Sequence, residues 1–312
     1  IPTLNRHDVL PRTLSGLARQ APGGPSFEVL VVADAAEPNP DRVRAAVASA
    51  SGARVLQAAR PGASAARNLG WREAHSELVL FLGDDIVPNE RLLANHAEWH
   101  GRDPEPTVGV LGHVRWAREL KVTPFMRWLE HGFQFDYPNI VGEDAGWGRF
   151  YTANVSVKRS MLERVGGFDE ERLPFLYEDL DIGKRMSEHG FRLLYNREAV
   201  GEHLHAVEIE SWRDRARQIA RAEHAFVRLH PEVPPFFLRS FTEAERAPRA
   251  SGRGRHLLRT IRPTTPWIGP RAWRSADFYF RQALAPDFLS AWASLEESTP
   301  ASSGGPPPGG PK

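Results

Sequence analysis

The chain has 312 residues, 41% hydrophobic and 25% charged. This ordinary globular composition excludes fibrous architecture and wholesale disorder and suffices for one large α/β domain or two modest ones. Basic and acidic residues number 40 and 39, for a formal charge of +1, far from the basic surface of a dedicated nucleic-acid binder. Cysteine is absent, which removes disulfides, thiolate nucleophiles and Cys-based metal centres and agrees with a reducing, cytoplasmic setting.

From the N-terminus, short apolar strands alternate with helical patterns. Ile1–Thr3 is extended, and Asp8–Gln20 carries Leu10, Leu14 and Leu17 on one helical face. Phe27–Ala33 reads as a buried strand, Asp41–Ala50 as a helix, and Val55–Ala58 as a strand. Ser64–Ala74 is a helix with Ser64 in the N-cap position. Leu78–Leu82 is a strand closed by the turn Gly83–Pro88, and Glu90 to His100 is helical. This rhythm predicts parallel strands, with ligands at their carboxyl ends, near Asp34 and Gly83–Asp85.

The next stretch is less regular. Val108–Arg115 and Tyr151–Val157 read as strands and Tyr177–His189 as a helix stopped by Gly190. Arg192–Tyr195 and Ala199–His205 read as a strand pair, and Ser211–Leu229 as a helix. Prolines interrupt the chain from Pro231 onward. Between Arg246 and Arg274 lie eight arginines and no carboxylate, followed by the aromatic segment Trp267–Trp292 and a Gly/Pro/Ser-rich end. No run reaches the ~18–20 apolar residues of a membrane-spanning helix.

Phosphate-binding loops of the G-x-x-x-x-G-K-[ST] and G-x-G-x-x-G types are missing, as are H-E-x-x-H and G-x-S-x-G. A nucleotide bound to this half therefore needs another source of positive charge, and a divalent cation held by carboxylates is the natural one. Gly83-Asp84-Asp85, on the turn after an apolar strand, supplies hard oxygen ligands suited to Mg²⁺ or Mn²⁺. The same residues also fit a plain turn capping the next helix.

Six segments, in order, resemble family 2 glycosyltransferases of the GT-A fold. Ile1-Pro2-Thr3-Leu4-Asn5-Arg6 resembles the opening I-P-T-x-N-R, and Val29–Asp34 a strand ending in a nucleotide-binding Asp. Gly62 to Gly70, with Arg67 and Asn68, resembles G-x-x-x-A-R-N-x-G, and Phe81–Asp85 the D-x-D metal turn. Gly166-Gly167-Phe168-Asp169 and Tyr177-Glu178-Asp179-Leu180-Asp181 resemble G-G-F-D and E-D-x-D. His203 falls where the family has a metal-ligating His. The likeness covers residues 1 to 230. It departs at Gly83, which replaces the first Asp of D-x-D, and at Asp34-Ala35-Ala36, which replaces D-D-G-S.

The resemblance implies a GT-A, Rossmann-like mixed sheet flanked by helices, with a C-terminal helical appendage. Residues 1–88 would form the nucleotide-sugar-binding half and 89–230 the acceptor-binding, catalytic half. Residues 231–298 would form a basic, aromatic appendage and 299–312 a disordered tail. The implied reaction moves a sugar, with inversion, from a nucleoside diphosphate sugar, UDP-sugar favoured, to a hydroxyl of a carbohydrate or lipid-linked acceptor. Asp179 is the candidate base, since a hydroxyl needs a proton acceptor and the helix start favours an ionised carboxylate. Glu178 is the second catalytic candidate; adjacent helical residues diverge by about 100°, so Glu178, Asp179 and Asp181 cannot all share one face, and one would point into the site while another caps or orients.

Asp85 and His203 would hold Mn²⁺ or Mg²⁺, with His205 the rival on the same strand face. Pro2, Thr3, Asn5, Arg6, Asp34, Arg67 and Asp84 would contact the nucleotide. Trp147, Phe168, Asp169 and Asp181 would border the acceptor. His96 and His100, at i, i+4, read as a solvated helix face. The Arg-rich, aromatic C-terminal segment allows either contact with an anionic membrane, placing the protein at its inner face, or packing on the catalytic domain. A non-catalytic sugar-nucleotide-binding scaffold and a sugar-phosphate nucleotidyltransferase are the alternative functions; the latter needs a Gly-rich basic loop that Asn5–Pro11 does not supply. Opening on Ile1 without Met, the chain reads as truncated before its first strand, with lower stability than an extended form.

Overall fold

The computed structural model describes residues 1–48, 50, 52–261 and 265–298; the expected disordered tail, 299–312, lies outside them. Strands β1 (Pro2–Thr3), β2 (Val29–Ala33) and β3 (Ala53–Gln57) form a parallel sheet in that order. Its middle strand, Val-Leu-Val-Val-Ala, is buried almost throughout, as a parallel strand covered on both faces must be. Helices α1 (Leu10–Ala18), α2 (Pro40–Ala48) and α3 (Ala63–Glu73) make the connections.

A second, mixed sheet follows. Its strands are β4 (Leu78–Leu82), β5 (Ile86–Pro88), β6 (Val108–Trp116), β7 (Asn154–Lys158) and β8 (Arg192–His203), in the order β4-β7-β6-β8-β5. Only β6 and β8 pair in parallel. Helix α4 (Leu92–Arg102) backs this sheet, and α5 (Pro124–Leu129), α6 (Arg159–Val165) and α7 (Glu178–Ser187) lie in the connections. Between the halves, one apolar cluster joins Leu10 and Leu14 of α1 to Val31 of β2, Phe81 of β4 and Leu111 of β6.

Two expectations change here. The strand pair expected in 192–205 is one strand, interrupted by a bulge: Gly112 faces Asn196 but His113 faces Val200. The polar, irregular sequence of residues 197–199 is that bulge, its carbonyls bound by the amides of Asn95 and Asn154. Ser64 is no N-cap, because α3 begins after Gly62; its hydroxyl donates instead to the Leu173 carbonyl, 2.6 Å away.

The C-terminal third is helical: α8 (Ile209–Leu229), α9 (Phe236–Arg246), α10 (Arg253–Leu257) and α11 (Gly269–Ser298). On α11, Phe280, Leu284, Phe288 and Trp292 recur every four residues and form one buried stripe. They pack with Trp128 of α5, Ile219 of α8 and Phe241 of α9 in a second apolar cluster. Most of the aromatic segment is therefore the core of an appendage seated on the α/β body.

Candidate functional site

At the carboxyl ends of β1, β2 and β4 lies a cleft of ≈ 710 Å³, where ligands of open α/β sheets bind. Pro2, Thr3, Arg6, Asp34, Arg67, Asp84, Asp85, His203 and His205 all line it. The pairing of β5 with β8 sets its floor. Ile86 faces His203 in register, and the Leu204 amide donates to the Asp85 carbonyl at 2.9 Å. This brings His203 Nε2 to 3.7 Å from Asp85 Oδ2, while Arg6 Nη1 stands 4.0 Å from the same oxygen and 3.0 Å from His205 Nδ1.

Gly83 explains its own departure from the metal motif. A Cβ there would lie 2.9 Å from Ile86 Cγ1 and 3.3 Å from Asp85 Oδ1. Ile86 is fully buried, so an aspartate at 83 would displace the side chain that seats the turn. Burial, together with the Asp85 charge beside it, pushes the Asp84 carboxyl up to about 7; Thr3 and Arg6 oppose the shift.

The 3.7 Å between Asp85 and His203 is too long for a hydrogen bond; a small inward turn of either side chain would bring the pair to the roughly 3 Å between neighbouring ligands of an octahedral cation with bonds near ~2.1 Å. Burial lowers the His203 pKa, against the raising pull of Asp85, and so favours the neutral imidazole that a cation needs. The His205 amide lies 3.3 Å from His203 Nδ1. An imidazole accepting there carries its proton on Nε2, so cation binding would move that proton to Nδ1 and release this long contact. Among the described residues no group of three or more His, Cys, Asp or Glu side chains could hold a metal ion. The pair fits a cation only if a ligand such as a diphosphate completes its shell.

Asp34 is engaged differently. Oδ1 accepts from the Ala36 amide at 2.8 Å and Oδ2 from the Gly62 amide at 2.7 Å. Gly62 has φ +113°, and a Cβ on it would lie 2.6 Å from the Pro174 carbonyl. Only glycine carries the chain through this point. Asn5, also expected in the cleft, does not line it; its left-handed backbone (φ 54°) is held by an amide hydrogen bond to the Glu37 carboxylate.

The three carboxylates of Glu178-Asp179-Leu180-Asp181 part company as the helix starts. Leu176 and Tyr177 both adopt left-handed backbone (φ 63° and 62°), a strained geometry of about 1–2 kcal/mol per residue. Tyr177 is held there by its hydroxyl, which donates to buried Glu223 at 2.6 Å. Glu178 turns toward Arg67, 2.6 Å away in a buried ion pair. Asp181 turns inward, 2.7 Å from Arg185 and 2.8 Å from His230. Asp179 accepts from the amide of Leu180, at 2.9 Å, and has no side-chain partner among the described residues.

Asp179 faces a second chamber of ≈ 440 Å³, walled by Phe133, Trp147, Tyr151, Tyr177, Phe236 and Phe237. Gln134, Trp212 and Arg215 line both this chamber and the cleft, so the two spaces meet at these residues. Burial, reinforced by the Glu178 charge, raises Asp179 to about 7, with Arg67 opposing. The helix start was expected to keep it acidic; desolvation outweighs that dipole here.

Phe168, Asp169 and Asp181 border neither space. Phe168 is buried, edge-on to Phe81 with centroids 5.3 Å apart. Asp169 accepts from the amides of Glu171 and Arg172 and pairs with the Arg172 guanidinium. His96 and His100 are corrected outright, being buried rather than solvated. His96 bonds Ser156 and Asn154 at 2.8 and 3.0 Å, and His100 bonds Ser156 at 2.9 Å. They dock α4 on the sheet, and burial pushes both pKa values down to about 4.

Arg215 went unrecognised in the sequence. Burial lowers its pKa, with Glu178, Asp179 and Asp85 pulling the other way. Its guanidinium lies 5.6 Å from the Trp212 ring centroid, and among the described residues no carboxylate comes within 4.0 Å. An arginine beside the apolar stripe Trp212, Ala216, Ile219 was the available signal, since a charge at the edge of a buried face needs a partner.

Residues 1–146 match the model of the family "Glycosyl transferase family 2". Validoxylamine A glucosyltransferase from Streptomyces hygroscopicus subsp. limoneus is 28% identical over 280 residues, covering 75% of this chain and 57% of the relative. The chain thus spans little more than half the length of that curated relative. Among solved structures, mannosyltransferase PcManGT from Pyrobaculum calidifontis, in complex with GDP-Man and Mn²⁺, is 20% identical at a TM-score of 0.52, covering 96% of this chain and 79% of that one. S. aureus TarS 1-349 in complex with UDP-GlcNAc is 15% identical at a TM-score of 0.52, covering 95% and 90%. Residues 1–146 are thus similar to glycosyl transferase family 2, and the architecture of the chain is the GT-A fold.

Proposed function

We propose that this chain transfers a sugar from a nucleoside diphosphate sugar, UDP-sugar by preference, to an acceptor hydroxyl with inversion at the anomeric carbon. The carrying observation is that the carboxylate-floored cleft and the chamber holding Asp179 meet at Gln134, Trp212 and Arg215. A donor in the cleft would present its anomeric carbon to an acceptor in the chamber. The GDP-Man and UDP-GlcNAc bound by the two structural neighbours support a nucleotide-sugar donor.

Base and ribose would lie along Pro2, Thr3 and Asp34, and the diphosphate against Arg6 and Asp85. Asp179 accepts the proton of the acceptor hydroxyl as its oxygen bonds to the anomeric carbon on the face opposite the departing phosphate oxygen. The carbon–oxygen bond to the diphosphate breaks with its electron pair, and Arg215 is placed to meet the charge that develops. Mn²⁺ or Mg²⁺, held by Asp85 and His203, would supply Lewis-acid stabilisation of the leaving diphosphate when bound. The aromatic walls exclude water, which competes with the acceptor.

The test is nucleoside diphosphate release with Mn²⁺ present, acceptor supplied and a panel of donors offered. Turnover is expected from at least one donor, with a loss of about 10²–10⁴-fold in Asp179→Asn and of donor binding in Asp85→Ala. Donor binding without turnover across an acceptor panel would favour the scaffold reading, and undiminished turnover in Asp179→Asn would remove the base.

A further inference from the structure

We propose that the corner formed by α10 and the start of α11 docks on a lipid surface bearing anionic headgroups. This inference is independent of the proposed reaction. Gly254 of α10 packs on Ala272, Ser275 and Ala276 of α11, which turns Leu258 inward. The opposite face carries Arg253 and Leu257 one helical turn apart, both exposed. Just before α11, Trp267 stands 82% exposed and Ile268 54%.

The backbone presents that indole deliberately. Trp267 has a left-handed φ of 67°, and the turn is closed by the Ile268 amide donating to the Pro266 carbonyl at 2.7 Å. Arg271 Nη1 donates to the Trp267 carbonyl at 3.1 Å, holding a guanidinium beside the exposed ring. Arg259, two residues past α10, and Arg274 of α11 are exposed as well. None of Arg253, Arg259, Arg271 and Arg274 has a carboxylate within 4.0 Å among the described residues. The next acid along the chain, Asp277, is buried against Arg281 and Trp128.

Charge and apolarity together identify the occupant. Unpaired arginines would suit any polyanion, but a projecting Trp–Ile pair beside an exposed Leu gains nothing from a water-borne one. An indole with an apolar neighbour favours the boundary between headgroups and acyl chains, and arginines around it meet anionic headgroups at about fivefold in affinity each.

The full chain is sedimented at low salt with vesicles of phosphatidylcholine alone or with about one third phosphatidylglycerol. Binding to the anionic vesicles is expected to exceed binding to the neutral ones at least tenfold. It should fall about tenfold in the pair Trp267→Ser, Ile268→Ser, and roughly twentyfold in Arg271→Gln, Arg274→Gln. Melting temperatures of both variants should match the parent, because the altered side chains are exposed. Equal sedimentation with both vesicle types overturns the proposal, as does anionic binding that survives the serine pair. Tighter retention on duplex DNA than on vesicles, unchanged by the serine pair, also overturns it and assigns the arginines to nucleic acid.

Discussion

At the scale of single residues, Asp179 differs from its neighbours by what it lacks. Glu178 has Arg67 and Asp181 has Arg185 and His230, whereas Asp179 has backbone amides and an open chamber, with no charged side-chain partner among the described residues. A carboxyl raised from the ordinary 3.8 to about 7 binds more protons folded than unfolded between those values, so it subtracts stability as pH rises from about 4 to 7. The Asp179→Asn variant should therefore melt with the parent only near about pH 3.5 or below and increasingly above it as pH rises to 8, while losing turnover throughout. In the parent, turnover should climb with pH through about 7 as the base ionises. A melting curve for Asp179→Asn that falls below the parent at pH 8 would mean the carboxylate is anchored by contacts rather than held apart for chemistry.

At the scale of elements, what the sequence revealed depended on whether a local pattern had one structural solution. The five-residue apolar run Leu78–Leu82 is a strand with those bounds, since so short a run between turn residues has few other fates. The bulge in β8 broke an otherwise continuous strand pattern, so 192–205 read as two pieces. His96 and His100 misled because their partners, Asn154 and Ser156, lie more than fifty residues away. The carboxylate trio was legible as a group. Which member faces the chamber depended on Arg67, Arg185 and His230, and no local spacing contains that information.

At the scale of the whole molecule, the appendage and the site share a wall. Ile219 and Phe226 of α8 line the Asp179 chamber and also belong to the apolar cluster that receives α11. Phe237 of α9 lines the chamber as well, and its ring lies 6.4 Å from that of Phe288 on α11. Phe288 is fully buried and packs on Phe241 at 4.8 Å. Truncation to alanine should cost about 3–5 kcal/mol through the cavity it leaves. The loss should not fall evenly on the two spaces. The cleft rests chiefly on β1, β2 and the Asp85–His203 floor, whose apolar neighbours Val31, Ala33 and Ile86 belong to the first cluster and not to the one holding Phe288, so nucleoside diphosphate affinity measured by calorimetry should hold within about twofold of the parent. The chamber would lose the support behind Phe237, and turnover should fall about tenfold or more at temperatures where the variant remains folded, through misplaced acceptor. Equal losses in nucleotide affinity and turnover would mean that the two spaces are one mechanical unit, and turnover undiminished in the folded variant would mean that the appendage is a passenger.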